Sequence, residues 1–191
     1  KQNSFFQHGS AERWLLYDEK GCIGRIAAFI DEKKTHEWEQ PTGGMGFFEC
    51  INDQKSADIL FEACIKWLKE REIEVMDGPI NFGERNEYWG LLIENFDSPS
   101  SYQMNYNPSY YKQLFEEFGF EIYFNQIVFW RIIKKKLDEK FDIAFKKISS
   151  DDNYEFRNIR GVKLDQVAKD FQEVYNGAWA SHVGFKELKL E

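Results

Sequence analysis

The sequence predicts an α+β fold with three layers, in which a mixed, mostly antiparallel twisted sheet has helices on both faces. Two short apolar runs, at 24–30 and 46–51, are bounded by glycine and by charged or polar residues, which is typical of strands. From Ser56 onward, apolar residues recur on successive helical turns, which indicates an amphipathic helix. A strand that leads directly into such a helix favours a domain built of packed layers.

The first part of the chain predicts a loop followed by two strands joined by a tight turn. We expect the loop to place Phe5 and Phe6 under the sheet. A polar loop after the second strand contains His36, for which the sequence offers no partner, so an exposed histidine is the simplest interpretation. The elements of this part are a loop at 1–10, a strand at 13–18, a turn at 19–21, the strand at 24–30 and the polar loop at 31–44.

The second apolar run leads into the amphipathic helix, and Asn52 and Asp53 are suited to cap its N-terminus. The later segment 80–107 has few periodic signals but many aromatic residues, so we expect an ordered lid rather than a flexible linker. Pro108 opens a second helix, which ends at Gly119. The elements of this part are the helix at 53–70, a strand at 74–79, the lid at 80–107, a helix at 108–118 and a long strand at 120–133.

The sequence at the end of the chain predicts a domain boundary followed by the start of a further unit. The basic run at 134–136 indicates a solvated linker more than a binding patch. In the last segment, Phe171 and Val174 belong to an apolar stripe at helical spacing that needs a partner. The predicted elements are a strand at 154–157 and a helix at 164–180. The predicted domains are a first unit at 1–136, a linker at 137–153 and an incomplete second unit at 154–191.

The composition is that of a globular protein. Of the 191 residues, 42% are hydrophobic and 17% are aromatic, which is enough apolar surface for a substantial core. The net charge of −8 argues against a nucleic-acid-binding surface, because positive charge supplies most of that affinity. No apolar run reaches the roughly 20 residues that a membrane-spanning helix needs. Three cysteines without metal-ligand spacing predict reduced thiols in a cytoplasmic protein with no metal site.

Three stretches carry a family resemblance: G-R-I-A-A-F-I-D at 24–31, G-F-F-E-C at 46–50 and Y-N-P-S-Y-Y at 106–111, the last followed by G-F at 119–120. With the order of strands and helices, they resemble the GNAT superfamily of acyltransferases and, more narrowly, an uncharacterised bacterial group of tandem GNAT-like proteins. The resemblance covers about residues 3–133 and implies that a second GNAT-like unit follows. A weaker resemblance links the wider group to bacterial ceramide synthases, which join a fatty acyl-CoA to a long-chain amine.

The resemblance implies acyl-CoA or acetyl-CoA as a co-substrate, held by a loop before the central helix. GNAT enzymes hold the pyrophosphate of CoA there on glycines, whose backbone N–H groups approach the phosphates closely. The corresponding loop in this chain has no glycine. Asp53 adds negative charge where the pyrophosphate is expected, and Lys55 and Ser56 are partial substitutes. The residues assigned to this site are Asn52, Asp53, Lys55 and Ser56.

Two residues are candidates for catalysis. Glu49 is the candidate general base for the attacking amine, because strand alternation turns it away from its neighbours; a surface carboxylate is the alternative. Many GNAT enzymes have a tyrosine four residues before the G-F pair, which protonates the departing thiolate, and this chain has Phe115 there. Tyr111, one turn earlier together with Tyr110, is the candidate replacement, with core packing or lid contact as the alternative.

In the predicted lid, polar and aromatic side chains are candidates for binding the acceptor. These candidates are Asn81, Glu87, Tyr88 and Tyr106. The charged run at 84–87 has a second interpretation as a solvated surface.

The sequence therefore leads to two hypotheses. The first is an acyl-CoA-dependent N-acyltransferase acting on a small-molecule or lipid amine. The second is a non-catalytic GNAT-fold unit that packs against the other unit of a tandem protein, or binds a lipid or a peptide; the glycine-free loop and Phe115 favour it. We also expect self-association through 154–191, because its apolar stripe needs a partner.

Overall fold

The computed structural model describes residues 3–35, 39–81, 90–155, 158–182, 185 and 187–190. The chain divides into two compact units, Lys1–Gln126 and Ile127–Glu191. The first unit contains, in chain order, a 3-10 helix (Ser4–Gln7), strands β1 (Gly9–Asp18), β2 (Gly21–Asp31) and β3 (Thr42–Cys50), helix α1 (Gln54–Lys69), strand β4 (Val75–Asp77) and helix α2 (Tyr111–Phe118). The second unit contains helices α3 (Glu139–Ser149) and α4 (Leu164–Trp179).

The strands form one mixed sheet in the order β1-β2-β3-β4. β1 pairs with β2, and β2 with β3, in antiparallel fashion, while β3 and β4 run parallel. The prediction of an α+β domain with a mixed, mostly antiparallel sheet is therefore confirmed. The turn between β1 and β2 is tight because the Asp18 carboxylate accepts hydrogen bonds from the N–H groups of Lys20 (2.7 Å) and Gly21 (3.0 Å).

Helices α1 and α2 form where the sequence pattern predicts them. The Asp53 carboxylate caps the first turn of α1, and the apolar stripe of this helix packs on the sheet. On that stripe, Leu60, Phe61 and Cys64 are at most 2% exposed. Helix α2 ends at Gly119, whose φ of 108° lies in the left-handed region that glycine adopts without strain.

Both helices of this unit pack on the same face of the sheet, which corrects the prediction of helices on both faces. Phe115 of α2 contacts Phe61 of α1 (ring centroids 4.8 Å apart) and Phe48 of β3 (5.1 Å). The two helices lie side by side because their contacting aromatic rings belong to one shared core. Among the described residues of this unit, the opposite face is covered by the 3-10 helix, which places Phe5 against Phe29 of β2.

The N-terminal segment is fixed by one aromatic ring and by a histidine–carboxylate pair. Phe5 is buried, as predicted, whereas Phe6 is 37% exposed. His8 Nδ1 lies 3.0 Å from the Asp31 carboxylate, which also accepts the N–H of Lys33 (3.1 Å). These contacts join the segment before β1 to the end of β2.

The long strand predicted at 120–133 does not form. Phe120 packs against the core, but every residue at 121–133 is exposed and has irregular or turn backbone. A strand is stable only when a neighbouring strand pairs with its backbone groups, and the described residues supply no such pairing to this segment. Within the predicted lid, residues 91–93 have irregular backbone as well.

The second unit has amphipathic helices whose apolar residues are exposed or half-buried. None of its described residues is buried, and Phe141, Phe145 and Phe171 are 48%, 62% and 62% exposed. A helical pair of this kind has no core of its own to stabilise it. In the described part of the chain, no helix combines the length and the hydropathy needed to cross a bilayer.

The sequence predictions for this unit are confirmed in part. Helix α4 matches the helix predicted at 164–180, whereas α3 lies in the segment predicted as a linker. Of the strand predicted at 154–157, the first two residues are irregular and the last two lie outside the described residues. The division into domains at 136 and 153 stays a prediction.

Candidate functional site

The regular ladder between β3 and β4 is short. The two strands pair in parallel over three residues each, Thr42–Gly44 with Val75–Asp77. Beyond these residues, the N–H of Ile80 donates to the Met45 carbonyl at 2.8 Å, and the side-chain oxygen of Asn81 accepts the N–H of Phe47 at 3.2 Å. A side-chain contact thus takes the place of the ladder at Phe47.

β3 carries a bulge at the same position. On β2, Ile26 alone lies opposite both Phe47 and Phe48 of β3. Phe47 has a φ of 52°, in the left-handed region that is strained for a residue with a side chain. Such strain amounts to about 1–3 kcal/mol, and both strained residues and bulges are enriched at functional sites. The bulge at Phe47 is therefore the candidate site.

Two tyrosines at the start of α2 form hydrogen bonds with the end of β3. The Tyr111 hydroxyl accepts the N–H of Cys50 at 3.1 Å, and the Tyr110 hydroxyl donates to the Cys50 carbonyl at 2.8 Å. Burial raises the pKa of both hydroxyls above the ordinary tyrosine value, so both stay protonated at neutral pH. Tyr111, the predicted catalytic residue, thus lies in the core with its hydroxyl on the backbone of β3.

Tyr111→Phe is expected to lower the free energy of unfolding by about 1–3 kcal/mol, because it leaves the N–H of Cys50 buried without an acceptor. Tyr106→Phe is the matched control: Tyr106 is 66% exposed, and its hydroxyl donates to the Phe96 carbonyl near solvent. Urea denaturation measures both changes. Equal losses in the two variants would contradict the structural role assigned to Tyr111.

Glu49, the predicted general base, lies on the solvent side of β3. Strand alternation turns it away from the buried Phe48 and Cys50, as predicted. Its carboxylate accepts a hydrogen bond from Arg25 on β2 at 2.8 Å, and the two side chains are 64% and 51% exposed, respectively. No local pattern marks Arg25 as a partner of Glu49, because the contact depends on the register of two strands.

The N-terminus of α1 is capped by its own carboxylate. Asp53 accepts hydrogen bonds from the backbone N–H (2.8 Å) and the hydroxyl (2.7 Å) of Ser56. These bonds, the hydroxyl bond first, hold the pKa of Asp53 below its ordinary value of 3.8. Because the folded-state pKa is the lower one, the stabilisation is present above pH 3.8 and is lost as the pH falls through the lowered pKa.

The structure brings part of the predicted CoA site together. Asp53 and Ser56 bond to each other, while Asn52 and Lys55 are exposed beside them. A carboxylate therefore occupies the position at the helix N-terminus that an anion would take. A pyrophosphate can bind the Ser56 amide only if the hydrogen bond between this amide and the Asp53 carboxylate breaks first.

The predicted acceptor-binding residues lie in several places. Asn81 lies at the bulge and Tyr106 lies on the segment before α2. Glu87 and Tyr88 lie outside the described residues, as does His36.

Besides Arg25, sequence reasoning missed Phe47 and Asn107. No sequence signal marks Phe47 as the bulge. Asn107 is buried, and its side chain bonds to both the N–H (2.8 Å) and the carbonyl (3.2 Å) of Leu92. The Asn-Pro dipeptide at 107–108, which is typical of turns, was the available signal for it.

Two buried cysteines are unsuited to nucleophilic chemistry. Burial raises the pKa of Cys50 to about 11 and that of Cys64 to about 12. Both thiols are therefore protonated at neutral pH, and the thiolate is the nucleophilic form. In the described part of the chain, no three His, Cys, Asp or Glu side chains are grouped so that they could hold a metal ion.

Comparison with known proteins places the chain beside longer bacterial relatives. No protein-family model matches it, and no solved structure gives a significant match. Protein YghO of Escherichia coli K12 is 28% identical over 177 residues, which cover 91% of this chain and 44% of that protein. A protein named bacterial ceramide synthase, from Caulobacter vibrioides, is 28% identical over 191 residues, which cover 97% of this chain and 48% of that protein. The chain is thus similar over nearly all of its length to proteins of which it spans slightly less than half.

Proposed function

We propose that the protein is a cytoplasmic, acyl-CoA-dependent N-acyltransferase of the GNAT type that acylates a small-molecule or lipid amine. The observation that carries this proposal is the strained bulge at Phe47, where the ladder between β3 and β4 has ended, on the strand that leads into α1. Backbone groups of such a strand, beside a helix N-terminus, are suited to bind a thioester and phosphates. Similarity to a protein named bacterial ceramide synthase supports acyl transfer in general.

The proposed reaction needs positioning and one proton acceptor. The amine nitrogen attacks the thioester carbonyl, a C–N bond forms, the C–S bond breaks, and CoA leaves as the thiolate. Glu49, two residues from the bulge, takes the proton of the attacking amine, and Arg25 holds its carboxylate in place. The Phe47 amide at the bulge stabilises the oxyanion after the Asn81 side chain has released it.

We place the phosphates of CoA at the N-terminus of α1, on Asn52, Lys55 and Ser56. In this placement the Asp53 carboxylate competes with the phosphates for the Ser56 amide. Asp53→Asn is therefore expected to strengthen acyl-CoA binding a few-fold, since asparagine caps a helix equally well without the negative charge. Lys55→Glu is expected to weaken it by about fivefold, as for an exposed charge contact.

Calorimetric titration of acyl-CoA and an assay of CoA release with a panel of amines test these statements. Lys69→Glu in the last turn of α1 is the matched control, because it makes the same change in net charge at the other end of the helix. Equal effects of Lys55→Glu and Lys69→Glu would reject the placement of CoA. If the parent protein binds no acyl-CoA and releases no CoA with any amine, the proposed acyltransferase activity is rejected.

The second candidate function is a non-catalytic GNAT-fold unit that packs against another unit, or binds a lipid or a peptide. The self-capped N-terminus of α1 favours it, because the expected anion position is filled by Asp53. Phe115 also favours it, because its phenyl ring has no proton to donate and lies in the aromatic core. If the protein binds acyl-CoA but releases no CoA with any amine of the panel, this second function is supported.

We further propose self-association through 154–191, because the apolar face of α4 is exposed. Phe171→Glu is expected to shift the protein towards the monomer in sedimentation velocity. Ser181→Glu, exposed and outside the stripe, adds the same charge and is expected to change nothing. A parent that is monomeric at all concentrations would contradict this proposal.

A further inference from the structure

The positive charge of this acidic protein is concentrated at the start of its second unit. Residues 127–150, from the first residue of that unit to the C-cap of α3, contain seven Lys or Arg and three Asp or Glu, a net charge of +4. The whole chain carries −8, so the other 167 residues carry −12. Because the excess of cations is local, this segment presents a positive surface to an anionic partner.

The same segment exposes large apolar side chains. Phe129, Trp130 and Ile133 are 86%, 82% and 96% exposed, and Ile143 and Phe145 of α3 are each 62% exposed. None of the described residues of the second unit is buried. Exposed apolar groups in such number usually mark an interaction surface.

A turn holds cations beside the apolar side chains. The Arg131 guanidinium donates to the carbonyls of Lys135 and Lys136 at 3.1 Å each, and the N–H of Lys135 donates to the Ile132 carbonyl at 3.1 Å. These bonds fix the turn through backbone groups and do not use the lysine ammonium groups. The turn therefore presents Ile133 and three exposed lysines within four consecutive residues.

Helix α3 repeats this combination of apolar and basic side chains. Phe141, Phe145 and Ile148 recur at i, i+4 and i+7, the spacing of one helical face. Lys140 and Lys147 each precede a residue of this stripe, so both lie along one border of it. The Lys140 ammonium lies 5.3 Å from the centroid of the Phe141 ring. Lysine stems in such positions cover apolar surface while their charges reach a polar environment.

We propose that residues 127–150 bind the headgroup region of an anionic lipid bilayer. The apolar side chains enter the boundary between headgroups and acyl chains, and the lysines contact lipid phosphates. A protein partner fits less well, because lysine is depleted from the cores of protein interfaces and here adjoins the highly exposed Ile133. The inference goes beyond the proposed acyl transfer and does not depend on it.

Helix α4 is the contrasting case in the same unit. It exposes Phe171 and Val174 at 62% and 70%, but its one lysine and three carboxylates give it a net charge of −2. An anionic bilayer repels such a helix, so its apolar face suits a protein partner. The proposed self-association through 154–191 therefore uses a different surface.

Flotation with lipid vesicles on a density gradient tests the proposal on the full chain, because bound protein rises with the vesicles and aggregated protein does not. The protein is expected to float with vesicles of equal parts phosphatidylcholine and phosphatidylglycerol, and to remain at the bottom with phosphatidylcholine alone. Added NaCl is expected to lower the bound fraction, because salt screens the attraction. Equal flotation with both kinds of vesicle, or with neither, overturns the proposal.

A triple variant with glutamine at 134–136 tests the cations. Its affinity for the anionic vesicles is expected to fall about a hundredfold, at roughly fivefold for each cation near the surface. The matched control has the same change at Lys20, Lys66 and Lys69, which are exposed on the first unit, and is expected to bind within about twofold of the parent. A variant at 134–136 that floats like the parent overturns the assignment to this segment.

Ile133→Ser tests the apolar contribution. It is expected to weaken binding at least about tenfold, the effect of no longer burying one large apolar side chain. Ile159→Ser is the matched control, because Ile159 is 68% exposed and lies outside the segment. Circular dichroism checks that the helices of each variant are retained.

Two further results would replace the lipid by another partner. If the parent binds duplex DNA and no vesicles, the positive surface recognises a different polyanion and the proposal is overturned. If vesicles bind nothing and sedimentation velocity shows a dimer that Ile133→Ser dissociates, the partner is a second copy of the chain and the proposal is again overturned. Neither result affects the titrations that test the proposed acyltransferase.

Discussion

Phe61→Ala is expected to lower the free energy of unfolding by about 3–5 kcal/mol, the range for removing a fully buried aromatic ring. Phe61 is 0% exposed and lies between the two helices and the sheet. Its ring contacts those of Phe48 and Phe115 at 4.9 and 4.8 Å, and those of Phe118 and Phe120 at 4.8 and 5.2 Å. Helices α1 and α2 cannot close together over the resulting gap, because the four remaining rings are held by β3, by α2 and by the residues that follow α2.

Urea denaturation followed by fluorescence and circular dichroism measures this loss. Ile59→Ala is the matched control: it lies on the same helix, is 53% exposed and is expected to change stability by no more than about 0.5 kcal/mol. Similar losses in the two variants would mean that α1 does not pack on the sheet through the stripe that contains Phe61.

Gly46→Ala is expected to destabilise the candidate site by about 3 kcal/mol, at the upper end of the effects of overpacking. A methyl group on Gly46 would lie 2.1 Å from the Ile80 carbonyl oxygen and 2.8 Å from the Asn81 side-chain oxygen. The first of these atoms is backbone and cannot rotate away. The chain after β4 must therefore move off β3, and the bond between Asn81 and the Phe47 N–H is lost with it.

Gly177→Ala provides a control of opposite sign. Gly177 lies inside α4 with no atom within 4 Å of the added methyl, so alanine is expected to stabilise the helix by about 0.5–1 kcal/mol. Limited proteolysis reports whether Gly46→Ala loosens the segment after β4. An unchanged digestion pattern and an unchanged urea midpoint for Gly46→Ala would show that this segment does not lie against β3.

Local patterns predicted the helices and strands of the first unit well. The apolar stripe of α1, the Asp53 cap and the Gly119 stop depend on residues within one or two turns of each other, and all three are confirmed. The strands β2 and β3 were recognised for the same reason. β2 extends further than predicted at both ends, and β3 extends further at its N-terminal end, because cross-strand pairing continues past the apolar residues.

The predictions that were wrong, and the features that were not predicted, depend on residues far apart in the chain. The strand at 120–133 has the residue types of a strand, but its formation depends on a neighbour that the described residues do not supply. The placement of both helices on one face follows from the contact between Phe61 and Phe115, which no local pattern contains. The Phe47 bulge follows from the register of β3 against β2 and from Asn81, so the candidate site was predicted in its general place and not in its geometry.

The sheet order β1-β2-β3-β4 has a consequence for the order in which the molecule folds. Neighbouring strands in the sheet are also neighbours in sequence, and such short-range pairing forms quickly during folding. The bond between Cys50 and the Tyr111 hydroxyl instead joins residues 61 positions apart, so it closes a long loop and forms late. In hydrogen exchange, the amides that pair β1 with β2 are therefore expected to be protected longer than that of Cys50, because the contacts made last also open first. On warming, the end of β3 would lose its geometry while the meander of three strands is still intact.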